Sequence, residues 1–172
     1  MTTSVILVGL MGSGKTSVAQ ELGGQLGVQV FDTDRLVEKE AGMTVSQIFE
    51  ASGEAVFRTL EFHALEQCLE EAAPVVIATG GGIVSDHRSR ELLAAQSGVV
   101  YLKVSSGEAA RRLEYETTNR PLLNDDVEGN LRSLEIMRGP LYEGVAALKV
   151  DVDTRSIEET AETITKWLKG QS

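Results

Sequence analysis

Short apolar runs rich in β-branched residues alternate along the chain with longer segments whose apolar residues recur at helical spacing. Five of these runs predict strands, at residues 4–9, 28–34, 75–81, 98–104 and 147–152. Because each run is almost continuously apolar, both faces of each strand should be buried. The alternation predicts an α/β fold, in which a parallel sheet carries helices on both sides through right-handed crossovers.

Eight segments have the apolar spacing of helices, at residues 14–26, 34–41, 44–51, 53–72, 86–96, 106–115, 126–144 and 156–169. In the last of them, apolar residues that include Ile164 and Trp167 should close the core. Residues 113–126 break the pattern, because they are polar, rich in turn-forming residues and too poor in apolar residues to form a buried face. We predict a mobile loop there.

The length of 172 residues and the ordinary globular composition indicate one domain. No apolar stretch approaches the roughly 18 residues of a membrane span, so no membrane partner is expected. The 16 Lys and Arg against 26 Asp and Glu give a formal net charge of −10, which argues against a nucleic-acid partner. A single cysteine, Cys68, fits a reducing cytoplasm, and the lack of a long apolar patch in the sequence suggests a monomer.

A glycine-rich motif, G-x-x-x-x-G-K-T from Gly9 to Thr16, lies directly between the first strand and the first helix. Glycines allow several backbone N–H groups to converge on one phosphate, and the helix N-terminus adds its positive dipole end. Lys15 can reach the β- and γ-phosphates, and the Thr16 hydroxyl can bind Mg²⁺. We prefer this interpretation, with ATP as the nucleotide, over a turn that binds nothing. The predicted residues are Gly12, Ser13, Gly14, Lys15, Thr16 and Ser17.

The second predicted strand ends in two carboxylates, Asp32 and Asp34. Side chains two apart on a strand share one face, so both should point the same way at the C-terminal edge of the sheet, where such folds bind ligands. One could support Mg²⁺, and the other could receive a proton from an acceptor hydroxyl. The structural alternative is that Asp34 caps the helix that follows.

The third strand runs into Gly80-Gly81-Gly82, three residues without side chains that could block a ligand. We prefer the interpretation that a ligand comes close to this backbone over the alternative that the triplet is only a loose loop. In the predicted helix 53–72, Arg58 lies three residues before Glu61 and one turn after Glu54, so the three side chains share a face. The structural alternative to a binding site is a solvated ladder of salt bridges. Phe57 beside Arg58 favours a small-molecule pocket.

A second arginine, Arg138, precedes a Gly-Pro pair that should distort its helix and hold the side chain firmly. Together Arg58 and Arg138 could bind a carboxylate through paired N–H bonds that lysine cannot match.

Six motifs, GLMGSGKT, FDTD, SGEAVFRTLE, TGGG, NRPLL and RGPLY, resemble in order and spacing those of the shikimate kinases, over almost the whole chain. The resemblance implies transfer of the γ-phosphate of ATP to the 3-hydroxyl of shikimate, on the route to chorismate and aromatic amino acids. It also implies a three-layer αβα P-loop kinase fold similar to nucleoside monophosphate kinases, with a five-stranded parallel sheet. One kinase domain, 1–172, would contain a substrate-binding region at about 33–61 and a closing lid at about 113–126.

Site residues follow from the same resemblance, position by position. Lys15, Asp34 and Arg120 match catalytic positions, with Asp34 as the candidate base and Arg120 as the lid arginine that reaches the transferring phosphate. Mg²⁺ would be held by Thr16 with the help of Asp32. The substrate positions are Asp34, Phe57, Arg58, Glu61, Gly80, Gly81, Gly82 and Arg138, with Phe49 in support. Arg112 and Arg155 would border adenine, although Arg111 is an alternative to Arg112.

Two other functions remain open on the sequence. A gluconate kinase of the same architecture would also bind a carboxylate and hydroxyls, although TGGG and RGPLY argue against it. A nucleotide-binding regulatory module would bind ATP without turnover. The chain has no appended recognition domain and no basic patch that could serve as its output surface.

Overall fold

A five-stranded sheet forms the centre of the protein, and every neighbouring pair of its strands is parallel. The computed structural model describes residues 3–116 and 126–171. The strands are β1 (Val5–Val8), β2 (Val30–Asp32), β3 (Val76–Ala78), β4 (Val99–Lys103) and β5 (Leu148–Asp151). Their order across the sheet is β2-β3-β1-β4-β5. All five predicted strands are confirmed, each shorter by a residue or more at both ends. Burial of both faces is confirmed for β1, β3 and β4 but is wrong for β2 and β5, which are the edge strands of the sheet.

Helices cover both faces of the sheet and complete a three-layer αβα fold. They are α1 (Lys15–Leu26), α2 (Thr33–Ala41), α3 (Val45–Leu69), α4 (His87–Ala94), α5 (Ser106–Glu116), α6 (Val127–Val145) and α7 (Ile157–Gly170). A short 3₁₀ turn at Ile83–Ser85 follows the glycine triplet. Helix α1 packs against α7, and α6 packs against α4 and α5. Among the described residues, no helix is both long and apolar enough to cross a membrane.

Helix α3 joins two segments that the sequence pattern separates at residue 53. Gly53 has φ 79° and ψ 173°, a conformation that is open essentially to glycine alone, so the helix axis breaks there. Thr44 caps the first half by accepting a hydrogen bond from the Gln47 N–H, and the Gln47 side chain accepts from the Thr44 N–H. The predicted break is therefore real, although one helix assignment spans it and ends at Leu69 rather than at residue 72.

Two local expectations need correction. Strand β2 ends at Asp32 and α2 begins at Thr33, so Asp34 lies in the first turn of a helix rather than on the strand. Residues 113–116, predicted as loop, continue α5, while 117–125 lie outside the described residues. Helix α6 runs through Pro140 to Val145, as the predicted helical segment 126–144 does.

Two apolar clusters hold these elements together. The larger one surrounds the sheet and includes Cys68, with Trp167 packed against it as the α7 pattern predicts. The smaller one joins α2 to α3 around Val37, Ile48 and Phe57. The edge of the sheet where the strands end is thus bordered on one side by a segment with its own small core.

Candidate active site

The loop between β1 and α1 is shaped by glycines in conformations that a side chain would prevent. Gly14, directly before α1, has φ 84° and ψ 17°, and a Cβ on Gly9 (φ 149°) would lie 2.5 Å from the backbone oxygen of Leu102. The first N–H groups of α1 therefore open onto the loop, as in a phosphate-binding cradle. This is the geometry that the G-x-x-x-x-G-K-T motif predicts.

Lys15 lies inside this loop. Its Nζ donates to the backbone oxygens of Gly9 and Leu10, both at 2.8 Å, and to the Ser13 hydroxyl at 3.3 Å. Burial lowers the pKa of Lys15 to about 8, against the opposing effect of the nearby carboxylates, Asp34 first. A pKa in this range leaves the ammonium charged at neutral pH, as binding to a triphosphate requires.

Asp32 connects the phosphate loop to α2. Its Oδ2 accepts a hydrogen bond from the Thr16 hydroxyl at 2.9 Å. Its Oδ1 accepts from the N–H groups of Asp34 (3.1 Å) and Arg35 (3.3 Å), so Asp32 is the N-cap of α2. The alternative that Asp34 is the cap is wrong, and the Asp34 side chain is free for another role.

Asp34 and Glu61 meet over Gly80. A Cβ on Gly80 would lie 2.6 Å from Asp34 Oδ1 and would overlap Glu61 Oε1, so the missing side chain leaves room between two carboxylates. Neither of these two buried oxygens has a hydrogen-bond partner among the described residues. Burial, and then the charge of Asp32, raises the pKa of Asp34 above its ordinary value. Buried acceptors without partners are costly, and a ligand hydroxyl would satisfy them.

Arg58 is fixed by both of its predicted carboxylate partners. Nη1 donates to Glu61 at 2.7 Å and Nη2 to Glu54 at 3.2 Å, and the guanidinium lies 5.2 Å from the centre of the Phe57 ring. Glu61 is buried and Glu54 exposed, so the group is not a solvated ladder on one helix face. Burial raises the pKa of Glu61 to about 7, although Arg58 opposes the rise.

The glycine triplet lies between the two arginines. The Gly82 backbone packs against the Arg58 guanidinium, where a Cβ would overlap it. On the other side, Arg138 Nη1 donates to the backbone oxygen of Gly81 at 3.2 Å, and its buried Nε has no partner among the described residues. The same oxygen accepts a hydrogen bond from the Tyr142 hydroxyl. The sequence interpretation missed Tyr142, although it lies one helical turn after Arg138.

Two clefts adjoin at the phosphate loop. The smaller, of about 300 Å³, is lined by residues from the phosphate loop, α2, α5 and the glycine triplet, including Lys15, Thr16, Asp32, Asp34, Gly80 and Gly81. The larger, of about 620 Å³, is lined by the loop, α5 and the segment after β5, including Gly12, Ser17, Arg112, Asp153 and Arg155. The arrangement offers one space for a nucleotide and one for a phosphoryl acceptor.

A protein-family model described as shikimate kinase matches residues 11–169 of the chain. The chain belongs to the shikimate kinase family. A shikimate kinase of Thermobifida fusca is 40% identical over 163 residues, which cover 95% of this chain and 93% of that relative. The solved shikimate kinase from Acinetobacter baumannii in complex with shikimate superimposes with a TM-score of 0.91 at 35% identity, covering 100% of this chain and 96% of the other.

A solved gluconokinase from Sinorhizobium meliloti has the same fold. It superimposes with a TM-score of 0.59 at 19% identity and covers 99% of this chain and 98% of its own. At this identity the likeness is one of fold alone. The family model and the shikimate kinase relatives confirm the resemblance that the six motifs predict, and the structural matches confirm the P-loop kinase fold.

The shikimate kinase motifs fall into three groups by position. Lys15, Thr16, Asp32 and Asp34 border one cleft with Gly80 and Gly81. Arg58, Glu61 and Gly82 do not line that cleft, although Glu61 adjoins Gly80 and Arg58 adjoins Gly82. Phe57 is buried in the small cluster, with its ring against Arg58. Arg120 lies outside the described residues.

The arginines that are predicted to border adenine differ in how they are held. Arg112 is half-buried and donates to the backbone oxygens of Gly12 (3.3 Å) and Val152, while Arg111 is exposed. Both bind Glu108, whose pKa falls to about 2 through hydrogen bonds from Arg111 first and then Arg112. Arg155 lines the same cleft and bonds the Thr163 hydroxyl at 3.3 Å.

Proposed function

We propose that this member of the shikimate kinase family transfers the γ-phosphate of ATP to the 3-hydroxyl of shikimate, giving shikimate 3-phosphate and ADP on the route to chorismate and aromatic amino acids. One observation carries the proposal: the phosphate loop and the unpartnered oxygen of Asp34 border the same small cleft. The Acinetobacter baumannii relative, solved in complex with shikimate, supports shikimate as the acceptor.

The phosphate loop holds the nucleotide in this proposal. Lys15 exchanges its three internal acceptors for phosphate oxygens, and the first N–H groups of α1 add further donors. The paired oxygens of Thr16 and Asp32 are hard ligands of the kind that Mg²⁺ prefers, and this ion would neutralise charge on the phosphates. Adenine occupies the larger cleft, which is lined by Arg111, Arg112 and Arg155. We assign the adenine contact to Arg112 rather than Arg111, because Arg112 is half-buried and held by Gly12 and Val152 while Arg111 is exposed.

Asp34 accepts the proton of the attacking hydroxyl. Its free Oδ1 faces the space over Gly80, and its raised pKa brings its proton affinity closer to what proton transfer needs near neutral pH. Arg58 and Arg138 bind the shikimate carboxylate from the two sides of the glycine triplet, where the Nε of Arg138 is available. Glu61 and Phe57 hold the Arg58 guanidinium in place.

Residues 113–126 form the lid in this proposal, with Arg120 supplying charge to the transferring phosphate when the lid is closed. The segment starts on α5, where Leu113 already lines the smaller cleft. Closure would also exclude water and limit hydrolysis of ATP. Hydrogen exchange tests the lid: these residues should become protected on binding ATP and shikimate together, and unchanged exchange would contradict it.

The remaining organisation is proposed on the same basis. One kinase domain spans 1–172, with residues 33–61 as the substrate-binding region, because α2 and the first part of α3 share the small apolar cluster. A cytoplasmic monomer fits the lone buried Cys68.

ADP release with ATP and Mg²⁺ tests the function, measured with shikimate, with gluconate and without an acceptor. Release that depends on shikimate alone is expected. Release with gluconate would instead favour the gluconate kinase alternative, which rests on fold alone at 19% identity. ATP binding without release under any condition would favour the regulatory module.

A further inference from the structure

Tyr142 connects α6 to the glycine triplet on the acceptor side. Its side chain is completely buried, and its hydroxyl donates to the backbone oxygen of Gly81. Arg138, one turn earlier on α6, donates to the same oxygen at 3.2 Å. The phenol and one arginine of the proposed carboxylate clamp therefore meet at the same oxygen of the glycine triplet.

Fixing the Gly81 oxygen also fixes the amide that follows it. The Gly81–Gly82 peptide is trans, so its N–H points opposite to its carbonyl, away from Tyr142. In the described part of the chain, neither the Gly81 nor the Gly82 N–H donates to a protein acceptor. Gly82 also packs against Arg58. The orientation of this peptide thus decides where the free Gly82 N–H points, next to the second arginine.

Packing of the Tyr142 ring is a separate matter from its hydroxyl. The ring stacks on Tyr101 of β4, with 5.0 Å between the ring centres and 28° between the planes. Replacement by phenylalanine keeps this stack and removes only the hydrogen bond. The chain offers a matched control, because the Tyr101 hydroxyl has no hydrogen-bond partner among the described residues.

We propose that Tyr142 is a positioning residue for the acceptor: its hydroxyl holds the Gly81–Gly82 peptide, to which Arg138 also donates, so that the free Gly82 N–H and the arginine face the carboxylate and hydroxyls of the substrate. This rests on the proposed function, which names that substrate. Tyr142 lines neither of the two clefts, so we expect it to act on acceptor binding and not on the nucleotide.

Steady-state kinetics of Tyr142→Phe and Tyr101→Phe test the role. Loss of a neutral hydrogen bond should raise the shikimate KM of Tyr142→Phe by about three- to tenfold, with the ATP KM within about twofold of wild type. Tyr101→Phe should keep both constants. The proposal is overturned if Tyr142→Phe keeps the wild-type shikimate KM, or if both KM values rise by the same factor.

A measurement independent of turnover accompanies the kinetics. In ¹⁵N-glycine-labelled protein, the amide signals of Gly81 and Gly82 should move in Tyr142→Phe and stay in place in Tyr101→Phe. Unmoved signals in Tyr142→Phe would overturn the proposal. If the wild type fails to phosphorylate shikimate, the proposed function falls, while these signals still decide whether the hydroxyl holds the triplet.

Discussion

The guanidinium of Arg58 packs against the backbone of Gly82 so closely that a Cβ at position 82 would overlap it. Gly82 itself has φ −95° and ψ 3°, which any residue can adopt, so glycine is required here by space and not by backbone conformation. The contact places one arginine of the clamp directly beside the triplet.

Gly82→Ala should therefore displace Arg58 without straining the backbone. We expect the shikimate KM to rise by about tenfold or more, with the ATP KM unchanged, because a misplaced guanidinium loses a charge-assisted hydrogen bond. Gly144→Ala is the control, since a Cβ there meets open space. Equal shikimate KM values for the two variants would contradict the assignment of Arg58 to the acceptor.

Asp34→Asn tests proton transfer. The amide keeps the shape of the carboxylate but cannot take the hydroxyl proton, so kcat should fall by about 10²- to 10⁴-fold while ATP binding, measured by calorimetry, stays near wild type. Glu38→Gln is the control, because it removes another charge from α2 and keeps the acceptor that binds the Val45 N–H. Wild-type turnover in Asp34→Asn would remove Asp34 from the mechanism.

The fold follows from the sequence because its strands are short and separated by segments of helical spacing, and the three inner strands β1, β3 and β4 are apolar and buried. The phosphate loop follows as well, because Lys15 and Thr16 have to stand at fixed places in a strand-to-helix turn. The position at which β2 ends could not be predicted from the sequence. Asp32 caps the N–H groups of the next turn and starts α2 earlier than the apolar pattern indicates.

The role proposed for Tyr142 could not be predicted from the sequence. A tyrosine at a buried helical position is predicted to be a core residue, and the packing of its ring on Tyr101 agrees with that. The proposed role depends on its hydrogen bond to the backbone oxygen of a residue 61 positions earlier in the chain. Every residue has a backbone carbonyl, so the sequence cannot indicate which one the hydroxyl binds. The unpartnered oxygens of Asp34 and Glu61 likewise depend on distances that only the folded chain provides.

Glu61 should make stability depend on pH in an unusual direction. Its pKa rises from 4.5 to about 7 on folding, so between these values the folded protein holds a proton that the unfolded chain has lost. The free energy of unfolding should thus fall as pH rises through this window and then level off. Relative to Glu61→Gln, the wild type should lose about 2 kcal/mol between about pH 5 and about pH 7.5, measured by urea unfolding.

Glu54→Gln is the control for this measurement. Glu54 binds the same arginine, but its side chain is 62% exposed, whereas that of Glu61 is buried. Parallel pH curves for the wild type and Glu61→Gln would contradict a raised pKa at Glu61.

Replacing two adjacent glycines of α1 by alanine should change the free energy of unfolding in opposite directions. A Cβ on Gly24 meets open space, so Gly24→Ala should raise the free energy of unfolding by about 0.5–1 kcal/mol through helix propensity. A Cβ on Gly23 would overlap the Val30 side chain and lie 3.3 Å from the Val28 oxygen, so Gly23→Ala should cost about 1–3 kcal/mol despite the same gain in propensity. Each variant is the control for the other in urea unfolding. Equal stabilisation by both would mean that α1 and β2 can separate without cost, which is incompatible with a helix packed directly on the strand that positions Asp32.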